Sequence, residues 1–558
     1  MRQHQTTCMR IAVRLGAATA ALVVTAGTAA EAADLLEAVR GRDHAAVAKL
    51  LAQGADVNAR QPDGATALHW AVHNDDLATV QRLLAAGADA RAANDYGATP
   101  VWLAATNGNA AVVAALLDAG ADPNAALESG ETVLMAAART GTPAAIAALL
   151  DAGADIEAAQ TSRGQTALMW AVAENRLEAA RLLLERGADV HARTRTVVQM
   201  DRWSGQREPQ SPPEPAPARD TRDAATGAAA IEDSTVRVAV ARGAGGFTPL
   251  MFSARRGDLA MARLLLEHGA AIDDVAADGS TPLLVATVRG HVPLALLLLE
   301  RGAAPDGAAE RAGYTPLHWA VNRSEALTSH DYPAAPGEWA ALAGIPDRRQ
   351  QLALIEALLD QGADVNAQLA KVMPRYGFSL YFLILPANTM VGSTPFLLAA
   401  AAGDAGTMRM LVDHGADPHV AADGGMTPLM MAAGAGWVIN ESLVPEPDRL
   451  AAVKLAHALG NDVNTTDRRG FNAVHCAAYA GLVTVIQYLA DAGADLNHVA
   501  KNGQSPLGVA EGQHLAQFIG SQPASAAALR GLGAVSVGAV TLESAIDEQA
   551  RRRELQGR

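Results

Sequence analysis

The side chains able to act as nucleophiles, bases or metal ligands are present, but not in the spacings a reaction needs. The chain holds 15 His and two Cys among 558 residues. A zinc hydrolase presents two His one helical turn apart in an HExxH run, and no such run occurs. Two cysteines as distant as Cys8 and Cys476 form no metal-binding pair. CxxCH, the strained GxSxG elbow of serine hydrolases and SxxK are all missing, and no Lys follows a Gly, which removes the usual phosphate-cradling loop. What remains is repetitive. Asp recurs in Gly-Ala-Asp runs, as at Asp56, Asp122 and Asp155, where a carboxylate suits turn amides better than acid–base work. His191, His268 and His414 fall in similar turns, and Cys476, within NAVHCAAYAG, reads as a core thiol. The sequence therefore predicts no catalytic residue, no metal ligand and no cofactor.

The runs that hold these residues are periodic, and the period predicts the elements. Gly54, Gly87, Gly120 and Gly153 follow one another at a constant spacing of 33. Gly187, Gly269, Gly302, Gly362, Gly415, Gly460 and Gly493 continue the series with gaps of 34, 82, 33, 60, 53, 45 and 33. A second mark, Gly-x-Thr or its Asn or Ser form, begins at Gly64, Gly97, Gly130, Gly164, Gly246, Gly279, Gly313, Gly392, Gly425, Gly470 and Gly503. Glycine permits the positive φ of a tight turn, and the hydroxyl caps the free N–H groups of a following helix. Pro follows at Pro100, Pro249, Pro282, Pro316, Pro395, Pro428 and Pro506, the first helical position, where no N–H is needed. The unit is thus turn, short helix, turn, longer helix, glycine stop.

DGATALHWAV from Asp63, AGYTPLHWAV from Ala312, RGFNAVHCAAYAG from Arg469 and LLDQGADVNA from Leu358 resemble the ankyrin repeat over roughly residues 33–520. The resemblance implies an all-α solenoid of antiparallel helix pairs with hairpin fingers along one edge. It also implies that His69, His318 and His475 are structural hydrogen-bonders, and that partners are proteins bound through variable surfaces. One helix pair cannot bury its apolar face alone, whereas stacked neighbours bury it between them. Twelve units are expected, with 33–60 an N-terminal cap and 502–520 a truncated C-terminal one.

Composition agrees: half the residues are apolar but only 4% aromatic, as close stacking of small side chains requires. Residues 1–32 read as a leader, with Arg2, Arg10 and Arg14 ahead of a weakly apolar Leu15–Gly27 and small residues around Ala30 and Ala32. Cleavage is expected after Ala30 or Ala32, the alternative being an uncleaved anchor, and Met9 is an alternative start. Removing 1–32 leaves 41 basic and 58 acidic residues, a net charge of −17, which repels nucleic acid. One remaining thiol forms no internal disulfide. A periplasmic or secreted monomeric array, without membrane insertion after cleavage, is the expectation.

The long gaps exceed 33 by 49, 27, 20 and 12, and insertions in a repeat array are where specific function is sought. The largest, within 194–245, parts the array into blocks 33–193 and 246–520. It has strand-like flanks, TRTVVQM and STVRVAVARG, around a Pro-rich stretch, and predicts an elongated hairpin. The insert near 371–391 carries Tyr376, Phe378, Tyr381 and Phe382; apolar loops mark contact surfaces, so docking is the expectation and packing back onto the solenoid the alternative. Inserts near 324–349 and 437–448 fall between the helices of a unit and are expected to close over helix ends. On the inner face, the position after the His holds Trp70, Trp170, Phe252 and Trp319. Two readings fit these aromatics, partner anchors or a shield for Ala-rich helices, and anchors are the expectation. Residues 521–558 read as a tail with an amphipathic stretch from Thr541 to Gln556, which either caps the array or stays disordered. The expected function is a non-catalytic protein-binding scaffold, the alternatives being an accessory subunit of an envelope enzyme and, third, a self-contained enzyme.

Overall fold

The computed structural model describes residues 28–199, 242–307, 313–322, 345, 347–370, 391–435, 444–512 and 521–535. The leader up to residue 27, the aromatic run Tyr376, Phe378, Tyr381 and Phe382, the Pro-rich stretch and Thr541–Gln556 lie outside the described residues.

Among the described residues the helices succeed one another as twelve pairs. The first five are α1 (Thr28–Arg40) with α2 (His44–Ala52), α3 (Ala67–His73) with α4 (Leu77–Ala85), α5 (Pro100–Asn107) with α6 (Ala110–Asp118), α7 (Val133–Thr140) with α8 (Pro143–Asp151), and α9 (Ala167–Ala173) with α10 (Leu177–Glu185). Then come α11 (Pro249–Arg256) with α12 (Leu259–Glu267), α13 (Pro282–Val288) with α14 (Val292–Glu300), α15 (Pro316–Val321) with α16 (Arg348–Asp360) and α17 (Pro395–Ala401) with α18 (Ala405–Asp413). The last three pairs are α19 (Pro428–Ala432) with α20 (Glu446–Ala458), α21 (Ala473–Ala480) with α22 (Val483–Asp491), and α23 (Pro506–Ala510) with α24 (Pro523–Gly531).

Local chemistry starts and stops these helices as the spacing predicts. Thr99, Thr281 and Thr394 accept the amide N–H three residues on, at 3.2–3.3 Å, and each is followed by Pro at the start of the helix. Second helices take Asp caps, at Asp43, Asp76, Asp258 and Asp404. Every glycine of both periodic series has positive φ. Helices this short are unstable alone, so packing must hold them. Within each compact unit first helices pack on first helices and second on second, as α3 on α5 and α4 on α6, with Val72, Val80, Leu83, Val101 and Leu116 fully buried between them.

The chain divides into two compact units, Met1–Ser162 with Glu178–Ala188, and Arg163–Leu177 with Asp189–Arg558. Within the second unit the large insertion leaves the stacking intact: α9 packs on α11 across it. Its flanks pair as a short antiparallel ladder, β1 (Val197–Gln199) with β2 (Arg242–Ala244), Val198 opposite Gly243. The base is clamped by Thr194, whose N–H reaches the Phe247 carbonyl at 3.0 Å and whose carbonyl takes the Gly246 N–H at 3.1 Å. Arg193 adds a bond to the Val275 carbonyl at 3.0 Å and pairs with Asp274.

The C-terminal end differs from expectation. The last unit does not stop at 520: α24, inside the segment read as a tail, packs on α22 and α23, and Val535 N–H bonds to Asn497 Oδ1 at 2.8 Å. The second helix of this unit lacks the Leu-Leu pair and comes after extra residues, so its mark was lost in an Ala-rich run.

Fingers are joined by a recurring Asn. Asn124 donates Nδ2 to the Gly153 carbonyl at 3.1 Å and accepts the Asp155 N–H at 2.7 Å. Asn58, Asn366 and Asn464 do the same for their neighbours. Asn124→Ala should therefore destabilise by about 1–2 kcal/mol, since two backbone groups lose their partner. A urea midpoint unchanged from wild type would show that water replaces the bridge without loss.

Candidate interaction surface

The residues with chemical potential are committed to the frame. His69, His318 and His475 are buried three positions after a helix cap. In each, Nδ1 accepts the cap residue's N–H, at 3.1 Å from Thr66, 3.1 Å from Thr315 and 3.2 Å from Asn472. Nε2 then donates to a carbonyl of the next repeat, Ala98, Ser393 or Gln504, at 3.1–3.3 Å. At His69 and His318, where the cap hydroxyl can also turn its O–H toward Nδ1, this geometry fits the neutral Nε2–H tautomer; at His475, Nδ1 also lies 2.7 Å from Asn472 Oδ1. Burial lowers the proton affinity of all three, bringing His318 and His475 to about 4. Cys476 is buried, and burial pushes its thiol up to about 12, which leaves no thiolate to react. The Gly-Ala-Asp carboxylates bond turn amides, as Asp56 does to Asn58 N–H and Asp122 to Asn124 N–H, both at 2.9 Å.

The four inner-face aromatics separate into two kinds. Trp70 is partly exposed on α3, its Nε1 donating to Gln61 Oε1 at 3.0 Å and the Arg40 guanidinium lying 5.0 Å from its ring. Trp170, on α9, is also partly exposed. Phe252 and Trp319 correct the expectation of exposure: they are 8% and 5% exposed. The cause is an aromatic at the middle position of the Gly-x-Thr turn five residues earlier. Phe247 meets Phe252 edge-on at 6.0 Å, and Tyr314 meets Trp319 at 5.7 Å. Ala65 and Gln165, neither of them aromatic, occupy that position before Trp70 and Trp170.

Sequence reasoning missed one exposed ring. Tyr96 is 56% exposed at a finger turn of the first unit, between Asp95, whose N–H bonds to the Asp63 carbonyl at 2.9 Å, and Gly97. It carries no periodic signal, because the residue before the turn glycine differs in nearly every repeat. Trp102 fills the His position of α5, 8% exposed, with an indole N–H that has no partner among the described residues.

Ankyrin-repeat family models match the chain at 35–127, 120–194 and 227–309 (Ankyrin repeats, 3 copies), at 445–490 (Ankyrin repeats, many copies) and at 391–423 (Ankyrin repeat). Together they span more than half of its residues. The chain is an ankyrin-repeat protein. Among solved structures it is similar to the ankyrin repeat domain of human ASB11, at 24% identity over 49% of this chain and 98% of that one, with a TM-score of 0.36. Comparison with curated proteins finds no match. As an ankyrin-repeat array it is a scaffold for protein–protein interaction, and among its described residues no helix is long and apolar enough to cross a membrane.

Proposed function

We propose that this protein is a non-catalytic scaffold, periplasmic or secreted, that holds a protein partner against exposed aromatics of its first helices and finger turns. The observation that carries the reading is the partial exposure of Trp70 and Trp170 on helices whose frame is fixed by buried caps, in contrast to the covered Phe252 and Trp319. Rigid aromatic surface is what binding hot spots are made of, because it offers large area for little conformational entropy. The proposal of export rests on the arginine-led, weakly apolar N-terminus. Catalysis is set aside because the titratable groups most suited to it, the three cap histidines and Cys476, are held uncharged and hydrogen-bonded or buried.

The test uses the full chain as bait in envelope extract. Trp70→Ser and Trp170→Ser, separately and together with Tyr96→Ser, should each weaken recovery of a stoichiometric partner by about thirtyfold in affinity. Phe252→Tyr, at a covered position, should leave it unchanged. Undiminished capture by the triple variant, with native circular dichroism, would dismiss these surfaces.

A further inference from the structure

In four fingers one Asn makes the same two bonds to the finger that follows. Asn58, Asn124, Asn366 and Asn464 accept an amide N–H through Oδ1 at 2.7–2.8 Å and donate Nδ2, at 3.1 Å, to the carbonyl of the Gly two positions before that amide. The seventh finger places Asp306 at this register. Its Oδ2 accepts the Asp364 N–H at 2.6 Å, the bond that Asn Oδ1 makes elsewhere. Its other oxygen, Oδ1, is buried and has no hydrogen-bond partner among the described residues. By register that oxygen stands where the Asn amide would meet the carbonyl of Gly362, two positions before Asp364. A carboxylate there sets lone pairs against lone pairs, whereas a carboxylic acid presents the missing O–H donor.

We propose that Asp306 is a proton-operated clasp between the seventh and eighth fingers: protonated, it holds both the Asp364 amide and the Gly362 carbonyl, and charged, it holds the amide alone. Its surroundings favour the proton. Burial foremost raises the proton affinity of its carboxyl, the bond from Asp364 N–H opposes this, and the Asp364 charge adds to it. Among the described residues, the charge that acts on it is that of Asp364, and the neighbouring groups have roles of their own. Asp364 accepts the Asn366 N–H at 2.9 Å, and Arg193 is paired with Asp274. Asp273, on the preceding finger, accepts the Ala304 N–H at 2.9 Å and is exposed to solvent. His318 on α15 is held neutral by burial. The same acid-for-amide exchange at Asp273 is thus innocuous, and at Asp306 it leaves a buried acceptor facing a position that elsewhere requires a donor.

Asp306→Asn supplies the donor at every pH. Amide exchange over residues 361–369, corrected for intrinsic rate and read by mass spectrometry, should be about fivefold slower in the variant than in wild type near neutral pH. The ratio should fall toward one as the pH is lowered and wild type takes up the proton that supplies the same donor. Asn366→Asp is the reciprocal variant, and should speed exchange over residues 415–421 near neutral pH, less so in acid. A ratio independent of pH, or equal to one throughout, overturns the clasp. General loosening of the array in acid acts on wild type and variant alike and drops out of the ratio.

Discussion

Lowering the pH from about 7 to about 4 is expected to destabilise the protein by roughly 3 kcal/mol at each of His318 and His475. Burial holds both imidazoles at about 4 in the folded chain, against an ordinary value of 6.5. A histidine with a depressed folded value is neutral in both states above about 6.5, where its environment carries no penalty. Between about 6.5 and about 4 the unfolded chain takes up protons that the folded chain refuses, so stability falls as pH falls, and the loss is complete below about 4. The structural cause is visible at His318 Nδ1: a proton there would face the N–H of Thr315, which it now accepts. Other repeats show the remedy. Met135 fills the same position in α7 and takes the Thr132 N–H on its sulfur at 3.5 Å. His318→Met should therefore be less stable than wild type by about 1 kcal/mol near pH 7, where it loses the bond to Ser393, and more stable near pH 4.5. Urea midpoints measured at both pH values should cross; parallel pH dependence would remove His318 as the acid-sensitive element.

The opposite signs of His318 and Asp306 follow from one rule applied to different partners. The imidazole already has an acceptor role that protonation destroys, while the carboxylate lacks a donor role that protonation creates. Both are readable only with the next repeat in view, because the carbonyl of Ser393 and the amide of Asp364 lie 75 and 58 residues away in sequence. The same limit explains which features were legible beforehand. The period, the caps and the glycine stops are local requirements of a turn or a helix end, and each leaves a residue type at a fixed place, as Thr99, Pro100 and Gly120 do. The finger Asn residues satisfy a need of the following unit and are separated from it by about one period, so nothing local announces them. Phe252 and Trp319 were misjudged for a related reason: exposure depends on what lies over a ring, and the covering residues, Phe247 and Tyr314, occupy a position otherwise free to vary. The second helix of the last pair was not placed because extra residues precede it and its Ala-rich run lacks the Leu-Leu mark, although the Asn497 bond to Val535 joins it to the array.

Gly130→Ala should be among the most damaging single methyl additions in the first unit, and Gly153→Ala, in the same repeat, a mild one. Both glycines have positive φ, 78° and 90°, where a Cβ costs about 1–2 kcal/mol in any surroundings. They differ in what that Cβ would meet. At Gly153 nothing lies within 4 Å, because this glycine ends α8 at the open side of a finger. At Gly130 the added carbon would run into the Thr161 hydroxyl and stand 2.6 Å from the Thr161 backbone N. That nitrogen donates to the Ser129 carbonyl at 3.2 Å, so the clash falls on the hydrogen bond that joins successive turns. Rotating Thr161 away from the methyl group does not relieve the backbone contact. The turns must separate, which adds about 1–3 kcal/mol in the manner of overpacking and brings the total to roughly 2–5 kcal/mol. Because stability in a repeat array is a sum of units and their interfaces, a weakened junction lowers cooperativity as well as the midpoint. Thermal or urea unfolding of Gly130→Ala should begin earlier and spread over a wider range than that of Gly153→Ala. Equal midpoints for the two variants would mean that backbone conformation alone, and not the approach of the next turn, requires glycine at position 130.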